Sequence, residues 1–222
     1  NLNILLNVLE CMETYKISNF IFSSSATVYG LPDILPITEK SQTKRPTSPY
    51  GNTKKIGEEI IEDFTKISLN FKSISLRYFN PIGAHKSGEL GETPSGTPNN
   101  LMPFITQTAI GKRKELKIFG NDYNTPDGTA IRDYIHVMDL SEAHVLAFKR
   151  LMSNYTEDNF EIFNIGTGIG YSVLDVISSF KKTTNQKLNY SITKRREGDV
   201  PKLYADAKKA NKELNWHPKL SL

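Results

Sequence analysis

Tyr50 and Lys54 stand four residues apart in the run Ser48-Pro49-Tyr50-Gly51-Asn52-Thr53-Lys54. On a helix that spacing puts both side chains on one face. A phenol, with an ordinary pKa of about 10, is a poor base at neutral pH. A neighbouring ammonium favours the phenolate and lowers that value. A Tyr and Lys so placed can take a proton from a hydroxyl. Ser25 ends the serine run Ser23-Ser24-Ser25 upstream. Its hydroxyl can hydrogen-bond the oxygen that loses the proton. The plain alternatives are an exposed aromatic, a solvated lysine and a strand-end serine capping a turn, and Tyr-x-x-x-Lys is common by chance.

These residues need elements to hold them. Leu2 to Tyr15 carries helical spacing, and Asn19 to Ser23 reads as a buried strand that delivers the serines. A polar, Pro-rich loop runs to Pro46. Ser48-Pro49 then reads as an N-cap with proline at the first helical position, opening a helix to about Ile67. Ser73 to Tyr78 is the next strand, stopped by Asn80-Pro81. This α-β-α-β alternation predicts a doubly wound parallel sheet. Gly83 to Asn100 reads as a long loop. Leu101–Ile110 is a helix, Glu115–Phe119 a strand, and Asp139 caps a helix to Leu151. Phe160–Ile165 is a strand, Ser172 caps a helix to Phe180, and Lys208–Leu214 is a last helix.

Gly166-Thr167-Gly168-Ile169-Gly170 lies between a strand and a helix, as a dinucleotide loop would. Its spacing is G-x-G-x-G rather than G-x-G-x-x-G, and no acidic residue follows about 20 positions on at a strand end. It reads as a tight turn. The four histidines show no metal-ligand spacing, and His136 reads as packed or hydrogen-bonded.

Hydrophobic residues make up 38% of the 222 and charged residues 23%, a balance that suits a globular protein and excludes a disordered one. Net charge is +4, but the lysines alternate with acids, as in Lys54 to Glu59. No basic stripe with interleaved aromatics points to nucleic acid. No stretch is long and apolar enough to span a bilayer. Cys11, the only cysteine, reads as a small core residue. It has no partner for an internal disulfide, so a reducing, cytoplasmic compartment fits. The chain opens at Asn1, already in helical pattern, which reads as a fragment.

Ser23-Ser24-Ser25-Ala26-Thr27-Val28-Tyr29-Gly30 followed by Ser48-Pro49-Tyr50-Gly51-Asn52-Thr53-Lys54 resembles the extended short-chain dehydrogenase/reductase family. Leu76-Arg77-Tyr78-Phe79-Asn80-Pro81-Ile82-Gly83-Ala84-His85 narrows the resemblance to UDP-galactose 4-epimerases. So do Pro98-Asn99-Asn100-Leu101-Met102-Pro103, Ile118-Phe119-Gly120-Asn121-Asp122-Tyr123 and Arg132-Asp133-Tyr134-Ile135-His136-Val137-Met138-Asp139. The blocks keep the family's order and cover nearly the whole chain.

The resemblance implies NAD as cofactor, a UDP-sugar as substrate, and reversible inversion at C4 through a 4-keto sugar, as in galactose metabolism. It implies Tyr50 as base, assisted by Ser25, with Lys54 on the nicotinamide ribose and Phe79 near the cofactor. Asn80, Asn100 and Leu101 would contact the sugar nucleotide, and Phe119 would stack on uracil. Arg132 and Arg196 would hold the diphosphate and Asp199 a uridine ribose hydroxyl. Leu203, four residues after Asp199, would lie beside the sugar's 2-substituent, where a residue smaller than tyrosine leaves room for an acetamido group. Outside the resemblance, the arginines read as surface ion pairs and Phe119 and Leu203 as core.

In family terms residues 1–80 are the back half of a Rossmann-like NAD domain. Residues 81–222 are mainly a substrate domain, with parts of 131–165 returning to the sheet. Roughly 100 further residues would precede them with the phosphate-binding glycines. Pairing through the helices Leu2–Tyr15 and Pro49–Ile67, by Leu5, Leu9, Ile56 and Ile60, would make a homodimer. Two rivals stand beside this reading. A 4,6-dehydratase needs an acid after the serine-bearing strand, where this chain has Ser25-Ala26-Thr27-Val28. A non-catalytic sugar-nucleotide module would not need Ser25, Tyr50 and Lys54 together.

Overall fold

The structure, a computed structural model, describes residues 1–68, 70–153, 156 and 158–222. Helix α1 (Leu2–Thr14) buries Leu5, Leu9 and Met12, the stripe of an amphipathic helix. Cys11 falls off that stripe and is exposed, which corrects its reading as core. Strand β1 (Asn19–Ser25) follows, then a 3-10 turn at Ala26–Tyr29 for which Ser25 is the cap. Helix α2 (Pro49–Ile67) opens as expected: the Ser48 side chain accepts from Gly51 N, with proline in the first turn.

Strand β2 (Lys72–Tyr78) lies parallel to β1 in unbroken register, from Asn19 opposite Lys72 to Ser25 opposite Tyr78. Strand β6 (Phe160–Ile165) is parallel to β2 on its other side. On one sheet face Phe20 and Phe22 meet Leu5, Leu9 and Ile61 of α1 and α2. On the other, Ile74, Leu76 and Phe163 meet Leu140, Ala143 and Ala147 of α4 (Val137–Met152). Helices thus cover both faces of a parallel sheet, the doubly wound arrangement expected from the α-β alternation.

The remaining strands build a second layer. Strand β3 (Asn80–Ile82) is parallel to β5 (Ile131–His136). β5 also pairs with β7 (Gly170–Ser172) antiparallel and with β9 (Lys202–Leu203) parallel. Strand β4 (Leu116–Phe119) pairs in parallel with β8 (Tyr190–Thr193). Helices α3 (Leu101–Ala109) and α5 (Val173–Thr184) pack here around Ile105, Ile118, Val176 and Ile177. Helix α6 (Lys208–Glu213) leads to Trp216, which is fully buried against the α4 side of the sheet.

Three expectations need correction. Asn80-Pro81 ends β2 but does not end strand structure, because the chain re-enters as the three-residue β3 in another sheet. Asp139 does not cap α4. His136 does, its Nδ1 accepting from Met138 N at 3.1 Å, while the buried Asp139 carboxylate accepts from Lys219 N and Leu220 N near the C-terminus. Leu5 and Leu9 face the sheet, so they are not an outward pairing surface. No described helix is long and apolar enough to cross a membrane.

Candidate active site

The capped first turn of α2 sets Tyr50 beside the end of β1. Its half-buried phenol contacts the Ser25 side chain. Burial pushes the phenol pKa up, the nearby Tyr78 adds to that, and the Ser25 contact pulls it down. One turn on, Lys54 Nζ donates to the Ser23 carbonyl at 2.7 Å. The ammonium lies 5.6 Å from the centre of the Tyr50 ring and 5.1 Å from that of Phe22. Burial lowers its own pKa. So Lys54 does not hold the Tyr50 phenol below its ordinary value here, as the spacing led us to expect. The cation is tied to a carbonyl and sits near the ring, and burial of the phenol prevails. Ser25 Oγ also accepts from Thr27 N at 3.3 Å and Thr27 Oγ1 at 3.0 Å.

Ser25 is in register with Tyr78, and two residues beyond Tyr78 the chain reaches Asn80. There a cavity opens whose walls include Asn80, Asn100, Leu101, Phe119, Arg132, Arg196 and Asp199. Seven residues singled out in the sequence therefore converge on one hollow. Phe119 is 43 % exposed while its strand neighbours Leu116 and Ile118 are buried, so it faces the hollow and is not core. Arg132 is nearly buried, its Nη2 3.5 Å from Asp199 Oδ1. Arg196 Nη2 donates to the same oxygen at 2.8 Å and Nε to Oδ2 at 3.2 Å. The Arg196 guanidinium lies 5.9 Å from the Phe119 ring centre. Burial lowers the pKa of Arg132, partly offset by Asp199; the hydrogen bond to Asp199 raises that of Arg196. Two arginines beside an outward aromatic can hold an anion attached to a flat ring. Asn100 Nδ2 donates to Glu92 Oε1 at 2.7 Å.

Phe79 and Leu203 stand apart from both groups. Phe79 is buried with Ala26, Val28 and Tyr29, and Leu203 joins the same cluster. Leu203 pairs with Arg132 across β5 and β9, so it backs the cavity wall. The sequence reading missed Lys117, Ala130 and Tyr134, which also line the hollow. Tyr134 alternates with Arg132 along β5, a signal open only to a reader who had assigned that strand. Burial pushes its phenol up to about 12, with Arg132 pulling it down and Asp199 pushing it up.

The glycine run at 166–170 has a different task from phosphate binding. Thr167 N and Gly168 N donate to the carboxylate of Asp133 at 2.8 and 3.0 Å, joined by Thr167 Oγ1 at 2.6 Å and Ala205 N at 3.1 Å. A Cβ at Gly166 would meet Asp133 Oδ2 at 2.6 Å, so glycine is required there. The backbone donors a pyrophosphate would need are already taken by a buried side chain. Of a dinucleotide, this chain's residues fit the ribose end: Lys54 with the hydroxyls of Ser25 and Tyr50, at the carboxyl end of a parallel strand.

Residues 1–222 match the family model described as GDP-mannose 4,6 dehydratase. A UDP-glucose 4-epimerase of Drosophila melanogaster is 51% identical over 209 residues, which cover 94% of this chain and 59% of that protein. The crystal structure of a UDP-glucose 4-epimerase from Bifidobacterium longum, in complex with NAD+ and UDP, superposes with a TM-score of 0.93 at 46% identity, covering 98% of this chain and 64% of that one. The UDP-Glc/GlcNAc 4-epimerase of Campylobacter jejuni superposes at 0.79 with 37% identity, covering 100% and 66%. The chain thus spans about three fifths of the length of the curated relatives it matches.

Proposed function

The chain belongs to the family described as GDP-mannose 4,6 dehydratase and groups there with the UDP-glucose 4-epimerases, and from that premise we propose that the whole protein interconverts UDP-glucose and UDP-galactose. One observation carries the reading: seven of the residues singled out in the sequence share a cavity that begins at Asn80, two residues beyond Tyr78, the register partner of Ser25, with Tyr50 and Lys54 set against that end of β1 by α2. Arg132 and Arg196 hold the diphosphate, exchanging part of their contact with Asp199 for phosphate oxygens. Asp199 takes a ribose hydroxyl, Phe119 stacks on uracil, and Asn80, Asn100 and Leu101 border the sugar. Binding energy comes from the nucleotide, which leaves the sugar free to turn over. Tyr50 removes the proton of the 4-hydroxyl, with Ser25 sharing the hydrogen bond, and later returns it to the same oxygen. NAD, when bound, supplies the acceptor that takes the C4 hydride and gives it back to the opposite face. Lys54 holds the nicotinamide ribose, and Phe79 packs behind that site.

Elimination, the other chemistry of the family, is disfavoured by Thr27. Its hydroxyl donates to Ser25, at a place where dehydration needs an acid. Residues 1–80 belong in this reading to the NAD domain and 81–222 mainly to the substrate domain, with parts of 131–165 returning to the first. The protein is a cytoplasmic homodimer of galactose metabolism. Its single cysteine suits a reducing compartment. It also accepts UDP-N-acetylglucosamine, a reading carried by the resemblance, which puts Leu203, smaller than tyrosine, beside the sugar's 2-substituent. Leu203→Tyr then lowers turnover of the N-acetylated sugar relative to UDP-glucose; an unchanged ratio refutes that role.

The test of the main reading is Tyr50→Phe in the full-length protein. Epimerisation should vanish while UDP still binds in calorimetry. Substantial turnover would remove Tyr50 from the role of base.

A further inference from the structure

The reaction proposed above uses Tyr50 and Lys54 but not the next residue on their face of α2, Glu58. Glu58 is buried, and its carboxylate is fully engaged. Oε1 accepts from Ser24 Oγ at 2.5 Å, Ser75 Oγ at 2.8 Å and Arg77 Nε at 2.9 Å. Oε2 accepts from Arg77 Nη2 at 2.5 Å. Ser24 and Arg77 are register partners across β1 and β2, so one carboxylate ties α2 to both strands. The spacing is matched along the two elements. On α2, positions 50, 54 and 58 meet, on β1, the Ser25 side chain, the Ser23 carbonyl and the Ser24 hydroxyl. The pair also reaches the turn after Ser25. The Arg77 guanidinium lies 4.8 Å from the Tyr29 ring centre, and Tyr29 OH donates to Asn164 Oδ1 at 2.7 Å.

A buried charge pair is a poor way to gain stability, since desolvating both ions offsets their attraction. Its directional bonds do fix one element against another. We propose that Glu58 and Arg77 are positioning residues, which hold α2 at the height along β1 that sets Tyr50 against Ser25 and Lys54 against the Ser23 carbonyl. The inference rests on the reading of Tyr50 as base. The UDP cavity is built on other segments, so the pair acts on the chemical step and not on nucleotide binding.

The experiment uses the full-length protein with NAD bound, and three variants. Glu58→Gln keeps the Oε1 acceptor for Ser24 and Arg77 Nε but removes the negative charge and the Oε2 acceptor of Arg77 Nη2. Ser24→Ala removes only the tie to β1 and spares the ion pair, so it stays informative if Glu58→Gln fails to fold. Glu58→Asp tests rescue of charge without reach. Displacing a reacting group by about an ångström costs on the order of 100-fold in rate. Glu58→Gln should therefore lower kcat per folded molecule about that much, and Ser24→Ala about tenfold, with KM for UDP-glucose within twofold of wild type. The alkaline or acid limb of the kcat–pH profile should move with them. A second readout is the 13Cζ resonance of Tyr50, assigned by its loss in Tyr50→Phe. The titratable groups that face this phenol are Lys54 on its own helix and Tyr78 from β2, with His144 of α4 reaching Ser23. Glu58 and Arg77 are not among them, so a changed Tyr50 titration reports displacement within that group. An unchanged titration and pH profile, with activity lost only in proportion to folded protein, overturns the proposal and leaves a structural pair. If Tyr50→Phe keeps turnover, the reading of the base fails instead, and the Tyr50 resonance still decides the positioning.

Discussion

Phe119 illustrates what single side chains contribute, because its outward ring beside Arg196 has nothing to gain from the core. Stacking of a base on an aromatic ring is worth about 1–3 kcal/mol. Phe119→Ala should therefore weaken UDP binding by roughly five- to 150-fold in calorimetry with little change in thermal stability; unchanged affinity would place the uracil elsewhere. Tyr134 makes a prediction about pH. Its phenol is raised to about 12 in the folded chain, against about 10 when unfolded. The folded state thus binds the proton more tightly. The resulting stability is fully present below pH 10 and is lost as pH rises towards 12, on the order of 2–3 kcal/mol in all. Tyr134→Phe should flatten that part of the Tm–pH curve. An equally steep fall in the variant would show that other groups govern alkaline unfolding.

Elements here are held by a few polar contacts at their ends, and those contacts divide into ones a sequence announces and ones it hides. Ser48 before Pro49 announces the start of α2, and the cap is present. Ser172 likewise opens α5, with a full capping box. The long periodic segments, α1, α2, β1, β2 and β6, were legible because burial on one face imposes a period that survives in the residue types. The short strands β3, β7, β8 and β9 were not, since two to four residues carry little period; β4, equally short, was expected from its apolar run before a turn-rich segment. The convergence of Asn80, Asn100, Phe119, Arg132 and Arg196 was foreseen only through family resemblance; nothing local says that such distant segments meet. Tyr50 and Lys54 were legible from spacing, but the direction of the phenol's shift was not, because it depends on what buries the ring. Asp133 is the hidden kind of contact. It stands inside β5, and its four donors lie 34 to 72 residues away. Asp133→Ala would strand buried N–H groups at about 1–3 kcal/mol each. We expect a loss of at least about 3 kcal/mol in urea unfolding, and a loss below 1 kcal/mol would mean the loop finds other partners.

At the level of the whole molecule, the occupied glycine loop bears on cofactor affinity. With Thr167 N and Gly168 N engaged by Asp133, that loop has no free backbone donors at these positions to offer a pyrophosphate, and under the proposed reading the contacts left to a dinucleotide among the described residues are those at Ser25, Tyr50 and Lys54. The chain should bind NAD weakly, in the high micromolar range or above in calorimetry, and tight binding would show a pyrophosphate site that we have not identified. Self-association is the other molecular property in question. α1 leaves Ile4, Leu6 and Val8 exposed, with Ile4 and Val8 bordering a hollow beside Phe20 and Phe22 of β1. Light scattering of the full-length protein at micromolar concentration should give a dimer, and Ile4→Glu should shift it towards monomer. The cavity walls have a consequence for the order in which the chain acquires its properties. They are drawn from positions 80 to 199, with strand partners as remote as Arg132 and Leu203, so no wall exists until long loops have closed. Such closures are slow because their entropy is lost before any contact rewards it. Helical signal should therefore return early in refolding and recognition of UDP late, and a chain emerging from synthesis has no complete cavity wall until the segment from Asp199 to Leu203 is free.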